Sequence, residues 1–444
     1  MRNILIFTIC LSIFGCNKDV EKSCTIKGRV NNINLPIAKL KTPDSIYIDT
    51  IKNGVFSFTI PVINEKYVAL EIGDNISLYV KPNDSIFIDY NKNNTYKFTG
   101  RGFNESDFLY KKNELIKKLG FDDPRKIDIT LFSSKPKTFK TKIDSVKQIR
   151  VKQIEDYKKQ HSNLSTSFYN IEKQLINYFE VNQLFLYPTF NEILTKSKPD
   201  ITDNYFDFTE QIEPNRRELY PFFEYKSAIK SLLNLHTKTL NEKYNLAKKT
   251  LNDSDFFEEI MYGEFNTFIN FNGIDEIDSI CVEFIKRIGD NNRKVSLKNK
   301  YNNWKKLAKG QKAPNFEIKD TNGNLVRLSD FKESFVYIDC WNSYCGPCIA
   351  EMPAMKKLAD ELKNKRIVFI SISSDEIIDR WLSKVKDFNM NTINLCTEGA
   401  RHKFNNDYNA KAFPRYILID DKGFIIDATA EKPSEIKEKL EQLL

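Results

Sequence analysis

The sequence predicts a multidomain protein with an all-β N-terminal module, a helical middle region and a C-terminal α/β domain. Three observations carry this reading. Residues 24–103 hold short β-rich runs separated by turn residues. Residues 104–305 hold long segments with apolar residues at helical spacing. Residues 311–444 alternate apolar strands with helix patterns. The chain has 444 residues, 41% hydrophobic and 13% aromatic, which is enough apolar mass for several cores and excludes wholesale disorder. Lys+Arg 68 against Asp+Glu 60 leaves a net charge of +8, spread without a basic block, so no nucleic-acid partner is expected. The histidines His161, His236 and His402 lie far apart, which argues against a His-rich metal site.

Residues 1–16, MRNILIFTICLSIFGC, read as an export signal. Arg2 supplies the positive charge, and Ile4–Phe14 is mainly apolar but too short to cross a bilayer core of about 30 Å. Gly15 before Cys16 resembles a bacterial lipoprotein signal, which implies cleavage before Cys16, lipidation of that cysteine and anchoring to a membrane on the periplasmic side. An ordinary secretory signal cut elsewhere is the alternative; both export the chain. Of eight cysteines, Cys10 leaves with the signal and Cys16 takes the lipid. Cys24, Cys281, Cys340, Cys345, Cys348 and Cys396 remain, too sparse for a disulfide-stapled small domain.

In the β module, expected strands are Thr25–Val30, Ser45–Ile48, Val55–Ile60, Tyr67–Ile72, Ile76–Val80, Ser85–Tyr90 and Tyr96–Phe98. Asn53-Gly54 and Gly73-Asp74-Asn75 supply turns, and Val55–Ile60 alternates. A small antiparallel sandwich or barrel is predicted, with no catalytic constellation in it. In the helical region, Ile143, Val146, Ile149, Ile154 and Tyr157 mark one apolar stripe, and Ile171–Leu186 and Ala228–Leu251 carry further helix-compatible patterns.

From residue 311 the character changes. Asp320-Thr321-Asn322-Gly323 joins a hairpin. Phe335–Cys340 is a nearly continuous apolar strand, as in a sheet buried on both faces. A helix pattern from Cys345 to Leu362, a strand at Ile367–Ser373, a helix at Glu376–Phe388 and a strand at Thr392–Leu395 follow. A hairpin of Tyr416–Ile419 with Phe424–Asp427 and a terminal helix from Pro433 complete the domain. This is a thioredoxin-like order of elements.

Cys345-Gly346-Pro347-Cys348 follows the apolar strand and opens a helix. The first-turn N–H groups and the helix dipole stabilise a thiolate at Cys345 and lower its pKa. The spacing puts the second sulfur one turn on, close enough for a disulfide. Cys345 is then the exposed nucleophile and Cys348 the buried thiol that resolves a mixed disulfide. Pro347 suits the helix start. A zinc half-site would need two more ligands and no second C-x-x-C exists; a purely structural bridge is the other alternative.

The stretch Asp339-Cys340-Trp341-Asn342-Ser343-Tyr344-Cys345-Gly346-Pro347-Cys348-Ile349-Ala350-Glu351-Met352-Pro353 resembles the active site of the TlpA/ResA-like branch of the thioredoxin superfamily. Its members are exported, membrane-tethered thiol-disulfide oxidoreductases. Pro414, in Ala412-Phe413-Pro414-Arg415, matches the family's cis-proline, beside which the Phe413 backbone would pair with an extended substrate strand. The whole layout is similar to Bacteroidota thioredoxin-like lipoproteins with an N-terminal β-rich module. The resemblance implies that Asp339 lies beneath the active site and moves the proton of the second thiol, and that Glu351 tunes both thiols. Tyr344 stands where a Trp is usual and presents an aromatic face to substrate, next to Gly346 and Pro347. Cys340 should face away from Asp339 by strand alternation.

Together these residues predict a protein-disulfide reductase working through a Cys345/Cys348 dithiol, with no cofactor. Its partners would be protein disulfides of the cell envelope and a membrane electron donor. Two other functions stay open: a partner-binding lipoprotein in which this domain is secondary, and a thiol peroxidase, disfavoured because Asn342 stands where Thr or Ser would precede a peroxidatic cysteine.

Overall fold

The computed structural model describes residues 22–31, 35–91, 95–123 and 126–444. They form two compact units: one running to Ile212 and including Glu218–Ala228, the other made of Glu213–Arg217 and Ile229–Leu444. The signal-like segment and Cys16 lie outside the described residues. Among the described residues, no helix is long and apolar enough to cross a membrane.

The first unit begins with strands β1 (Ser23–Val30), β2 (Ile37–Lys41), β3 (Ile46–Thr50), β4 (Val55–Pro61), β5 (Lys66–Ile72), β6 (Asp74–Val80), β7 (Ser85–Asn91) and β8 (Thr95–Arg101). They make two four-stranded sheets, β4-β1-β7-β8 and β3-β2-β5-β6. Alternation sets the faces: in β4, Phe56, Phe58 and Ile60 point inward and join Ile26, Leu70, Leu78 and Ile88 in one core. Two sequence expectations need correction. The module is not wholly antiparallel, since β1 pairs parallel with β7; residue patterns in strands so far apart carry no sign of direction. Strand β2 is not among the expected strands: it has only five residues, two of them lysines, and only Ala38 and Leu40 are buried.

Helices α1 (Asn104–Lys118), α2 (Ile129–Phe132), α3 (Pro136–Gln160), α4 (Thr166–Thr195) and α5 (Phe223–Leu235) follow. The stripe of α3 buries Ile143, Val146, Ile154 and Tyr157, but Ile149 is 45% exposed. Three-residue steps drift round a helix of 3.6 residues per turn, so the inward place belongs to Arg150. That guanidinium is buried over the Phe179 ring, 4.7 Å from its centroid. Helix α4 starts at Ser165, whose side chain accepts from the Phe168 N–H.

In the second unit, α6 (Leu240–Thr250), α7 (Ser254–Asn272), α8 (Asp278–Arg287) and α9 (Asn291–Lys305) precede the sheet domain. The pattern that reads as one helix over Ala228–Leu251 is broken before α6, where Thr239 and Glu242 close a capping box. Next come β9 (Glu317–Asp320), β10 (Leu325–Arg327), β11 (Phe335–Trp341), α10 (Gly346–Glu361), β12 (Ile367–Ser373), α11 (Ile378–Asp387) and β13 (Ile393–Cys396). The chain ends with α12 (Lys403–Asp407), β14 (Arg415–Ile419), β15 (Ile425–Asp427) and α13 (Lys437–Leu443). The sheet runs β10-β9-β13-β12-β11-β14-β15, with β11, β12 and β13 mutually parallel and the remaining pairs antiparallel. This is a thioredoxin-like sheet. The central β11 is buried on both faces, as its apolar run predicts, and it delivers the chain directly to α10.

Candidate functional site

The site is built where β11 ends and α10 begins. Cys345 and Cys348 are joined by a disulfide, with Cα atoms 5.2 Å apart. Cys345 caps α10: its Sγ accepts the Cys348 N–H at 3.2 Å, and Pro347 occupies the first turn. The N–H that would hold a Cys345 thiolate is therefore aimed at the sulfur. Cys348 is buried at 2% exposure, whereas Cys345 is only partly covered. Beneath them Trp341, Met352, Trp381 and Cys396 form an apolar floor, against which Phe413 also packs.

The Phe413–Pro414 peptide is cis, and both residues remain partly accessible. Tyr344 is exposed, with the Arg380 guanidinium 4.8 Å from its ring centroid. Gly346 and Pro347 are exposed, and the space beside Gly346 where a Cβ would stand is open. A rim of small and flat groups thus surrounds Cys345.

Of the carboxylates, Asp339 is 4% exposed on β11, and its Oδ1 has no hydrogen-bond partner among the described residues. Burial first, and the nearby Glu351 charge second, push its carboxyl up to about 8. Glu351, on α10, turns toward the C-terminal segment. Its Oε2 accepts the Ser434 N–H and its Oε1 the Ser434 hydroxyl, each at 3.1 Å, and Lys432 Nζ stands 3.8 Å away. Glu351 is thus held by the C-terminal segment, and its charge adds to the burial that raises Asp339.

The four other described cysteines are free and buried. Cys340 follows Asp339 on β11; its thiol is raised by burial first and by the Asp339 charge second, with the Arg415 charge acting the other way. Burial raises the thiols of Cys24 and Cys281 to about 12 and pushes those of Cys340 and Cys396 up as well.

Sequence reasoning missed Asp375. It is 2% exposed, and its carboxylate accepts the Ser343 N–H at 2.9 Å, the Ser343 hydroxyl at 2.6 Å and the Ser373 hydroxyl at 2.6 Å. It fastens the loop before Cys345 to the end of β12. The signal was weak: a lone Asp after an apolar strand in Ser373-Ser374-Asp375.

A disulfide at a helix start, a buried carboxyl and a cis-proline on one parallel-centred sheet mark a thioredoxin-like site. A Redoxin family model matches residues 308–444. The thiol-disulfide oxidoreductase ResA of Bacillus thuringiensis subsp. konkukian is 31% identical over 139 residues, covering 31% of this chain and 78% of that protein. The thioredoxin-like protein YneN of Bacillus subtilis is 32% identical over 122 residues, covering 27% and 71% respectively. Among solved structures, the thioredoxin domain of a thiol-disulfide oxidoreductase from Bacteroides vulgatus is 25% identical, covers 31% of this chain and 98% of its own, and has a TM-score of 0.29. The chain belongs to the ResA-like thiol-disulfide oxidoreductases of the thioredoxin superfamily.

Proposed function

We propose that this protein is an exported, lipid-anchored reductase of protein disulfides, using Cys345 as nucleophile, Cys348 as resolving thiol and Asp339 as proton acceptor. The observation that carries the reading is the Cys345 sulfur, partly open and accepting an N–H at the start of α10, above a buried Cys348. In the reduced enzyme the Cys345 thiolate attacks one sulfur of a substrate disulfide. A mixed disulfide forms and one substrate thiolate leaves. Cys348 then gives its proton to the ionised form of Asp339, whose share grows as pH rises toward about 8, and attacks the Cys345 sulfur. The Cys345–Cys348 disulfide forms, the second substrate thiolate leaves, and two electrons have passed to the substrate. An external dithiol donor at the membrane returns the enzyme to its reduced state.

Phe413 and Pro414 would align an extended substrate segment beside Cys345, with Tyr344, Gly346 and Pro347 on the opposite rim. Gly-Pro between the cysteines and carboxylates nearby both favour reduction, because they oppose a very acidic thiolate. Glu351 acts by its charge on Asp339. Export and anchoring rest on Gly15-Cys16 after a short apolar run.

The direct test is trapping: Cys348→Ser should hold substrate proteins in mixed disulfides that a thiol reductant releases, and Cys345→Ser should hold none. Equal trapping by both variants contradicts the assignment. For the anchor, Cys16→Ser should release the chain from the membrane fraction or leave it unprocessed; unchanged retention and maturation refute lipidation.

A further inference from the structure

A cleft of about 390 Å³ opens beside the cis-proline loop. Asn270, Lys300 and Trp304 line it from α7 and α9, and Asn409, Lys411 and Ala412 from the loop that leads into Phe413. Its charges are one-sided. Among the described residues, no carboxylate lines it. The Lys300 ammonium is held by the side-chain oxygens of Asn266 and Asn270, both neutral. Burial, and the like charge of Lys411, lower its pKa. The Asn409 Nδ2 is buried and has no acceptor among the described residues.

Behind the Trp304 wall lies a third cation. Arg415 is 4% exposed, stacks on the Trp304 ring at 4.6 Å and donates to the Asn270 carbonyl. Its Nε and Nη1 find no acceptor among the described residues. Burying a guanidinium without a counter-charge is unfavourable, and so is holding two ammonium groups round one cleft. An anion in the cleft would offset the two ammonium groups that line it and offer an acceptor to Asn409, which lines it too.

We propose that this cleft is a subsite for a carboxylate side chain, Asp or Glu, of the substrate polypeptide. The proposal rests on the reductase reading above and adds a substrate class to it. The geometry supplies the link. Lys411 and Ala412 run directly into Phe413, which packs on the cluster holding Cys345 and Cys348. A strand laid along Phe413 advances about 3.3 Å per residue. A residue two or three positions from the substrate's cysteine therefore reaches the Lys411 end of the cleft. Acidic flanks would be favoured, and basic flanks would meet Lys300 and Lys411 as like charges.

The test uses the reduced full chain and two disulfide-bonded peptides that differ only in carrying Asp and Glu, or Asn and Gln, two and three residues from the cysteine. At low ionic strength the acidic peptide should be reduced about tenfold faster, a preference that salt screens. Lys300→Gln with Lys411→Gln should bring the ratio near one without changing the rate at which Cys345 is alkylated. Lys411→Gln alone, an exposed change that the fold tolerates, should lower the ratio part-way. A wild-type ratio near one, or a ratio kept in both variants, overturns the subsite. Binding of a cysteine-free acidic peptide, followed by fluorescence anisotropy, separates the two claims. If that peptide binds wild type but not the double variant while no peptide is reduced, the subsite stands and the reductase reading falls. If both peptides are reduced at equal rates, the reverse holds.

Discussion

The β module and the sheet domain each bury a cysteine, yet only one has the makings of a redox site. In the module, Cys24 is fully buried on β1 with the Asp84 charge nearby, and its thiol is raised to about 12. Asp84 is itself raised to about 6 by burial, but its carboxylate accepts the Lys81 N–H at 2.8 Å. In the sheet domain, Cys348 is as well hidden, but its bonded partner Cys345 is partly open and receives an N–H from the first turn of α10. For Cys24, burial first and the like charge of Asp84 second keep the thiol protonated and inert. A helix start, a partner sulfur and a route to solvent make one reactive.

The largest expected effect breaks the comparison outright. Cys345→Ser or Cys348→Ser should abolish multiple-turnover reduction of a protein disulfide. Cys24→Ser should leave it intact, measured on the same substrate; equal losses would erase the distinction between the two regions.

Next is Asp339→Asn, which removes the proposed proton acceptor. Single-turnover resolution of the mixed disulfide should slow by about 10²-fold. Stability should move the other way. Because the folded carboxyl titrates near 8, well above its ordinary 3.8, the folded state holds a proton that the unfolded state has lost between those values. Wild-type stability therefore falls as pH rises from about 4 to about 8 and levels off above that. Asp339→Asn removes this loss, so thermal unfolding at pH 9 should shift upward by several degrees, with little change at pH 4. A lower midpoint at pH 9 would contradict the protonated Asp339.

A smaller effect is expected from Asp375→Ala. Losing the acceptor of Ser343 should cost about 1–3 kcal/mol of stability, read by denaturant unfolding. Turnover should drop by roughly tenfold or less, since Cys345 is displaced rather than removed. The smallest is Glu351→Gln. Removing its charge should lower the apparent pKa assigned to Asp339 by less than about one unit, seen as a shift of the pH–rate profile to lower pH. A shift to higher pH would mean that Glu351 does not act on Asp339 through charge.

Much of the site was legible because its chemistry is local. The strand Phe335–Cys340, the cysteines one turn apart and the proline after Phe413 announce themselves in short stretches, and the structure brings them together. What was not legible depends on contacts between distant residues. Glu351 meets Ser434 across 83 residues, Ser343 meets Asp375 across 32, and Arg415 meets Asn270 across 145. No local periodicity encodes such pairs. In α3 the three-residue reading placed Ile149 inside, whereas the 3.6-residue period gives that place to Arg150. In the β module, alternation revealed which residues face the core but not that β1 and β7 run parallel.

The most direct measurement is site-resolved alkylation of the reduced full chain across pH, read by mass spectrometry. Cys345 should be labelled first, with a rate that rises through a pKa below that of an ordinary thiol, about 8.5. Cys24, Cys281, Cys340 and Cys396 should stay unlabelled until the protein is unfolded. Labelling of Cys348 or of any of those four ahead of Cys345 in the folded protein would contradict the account.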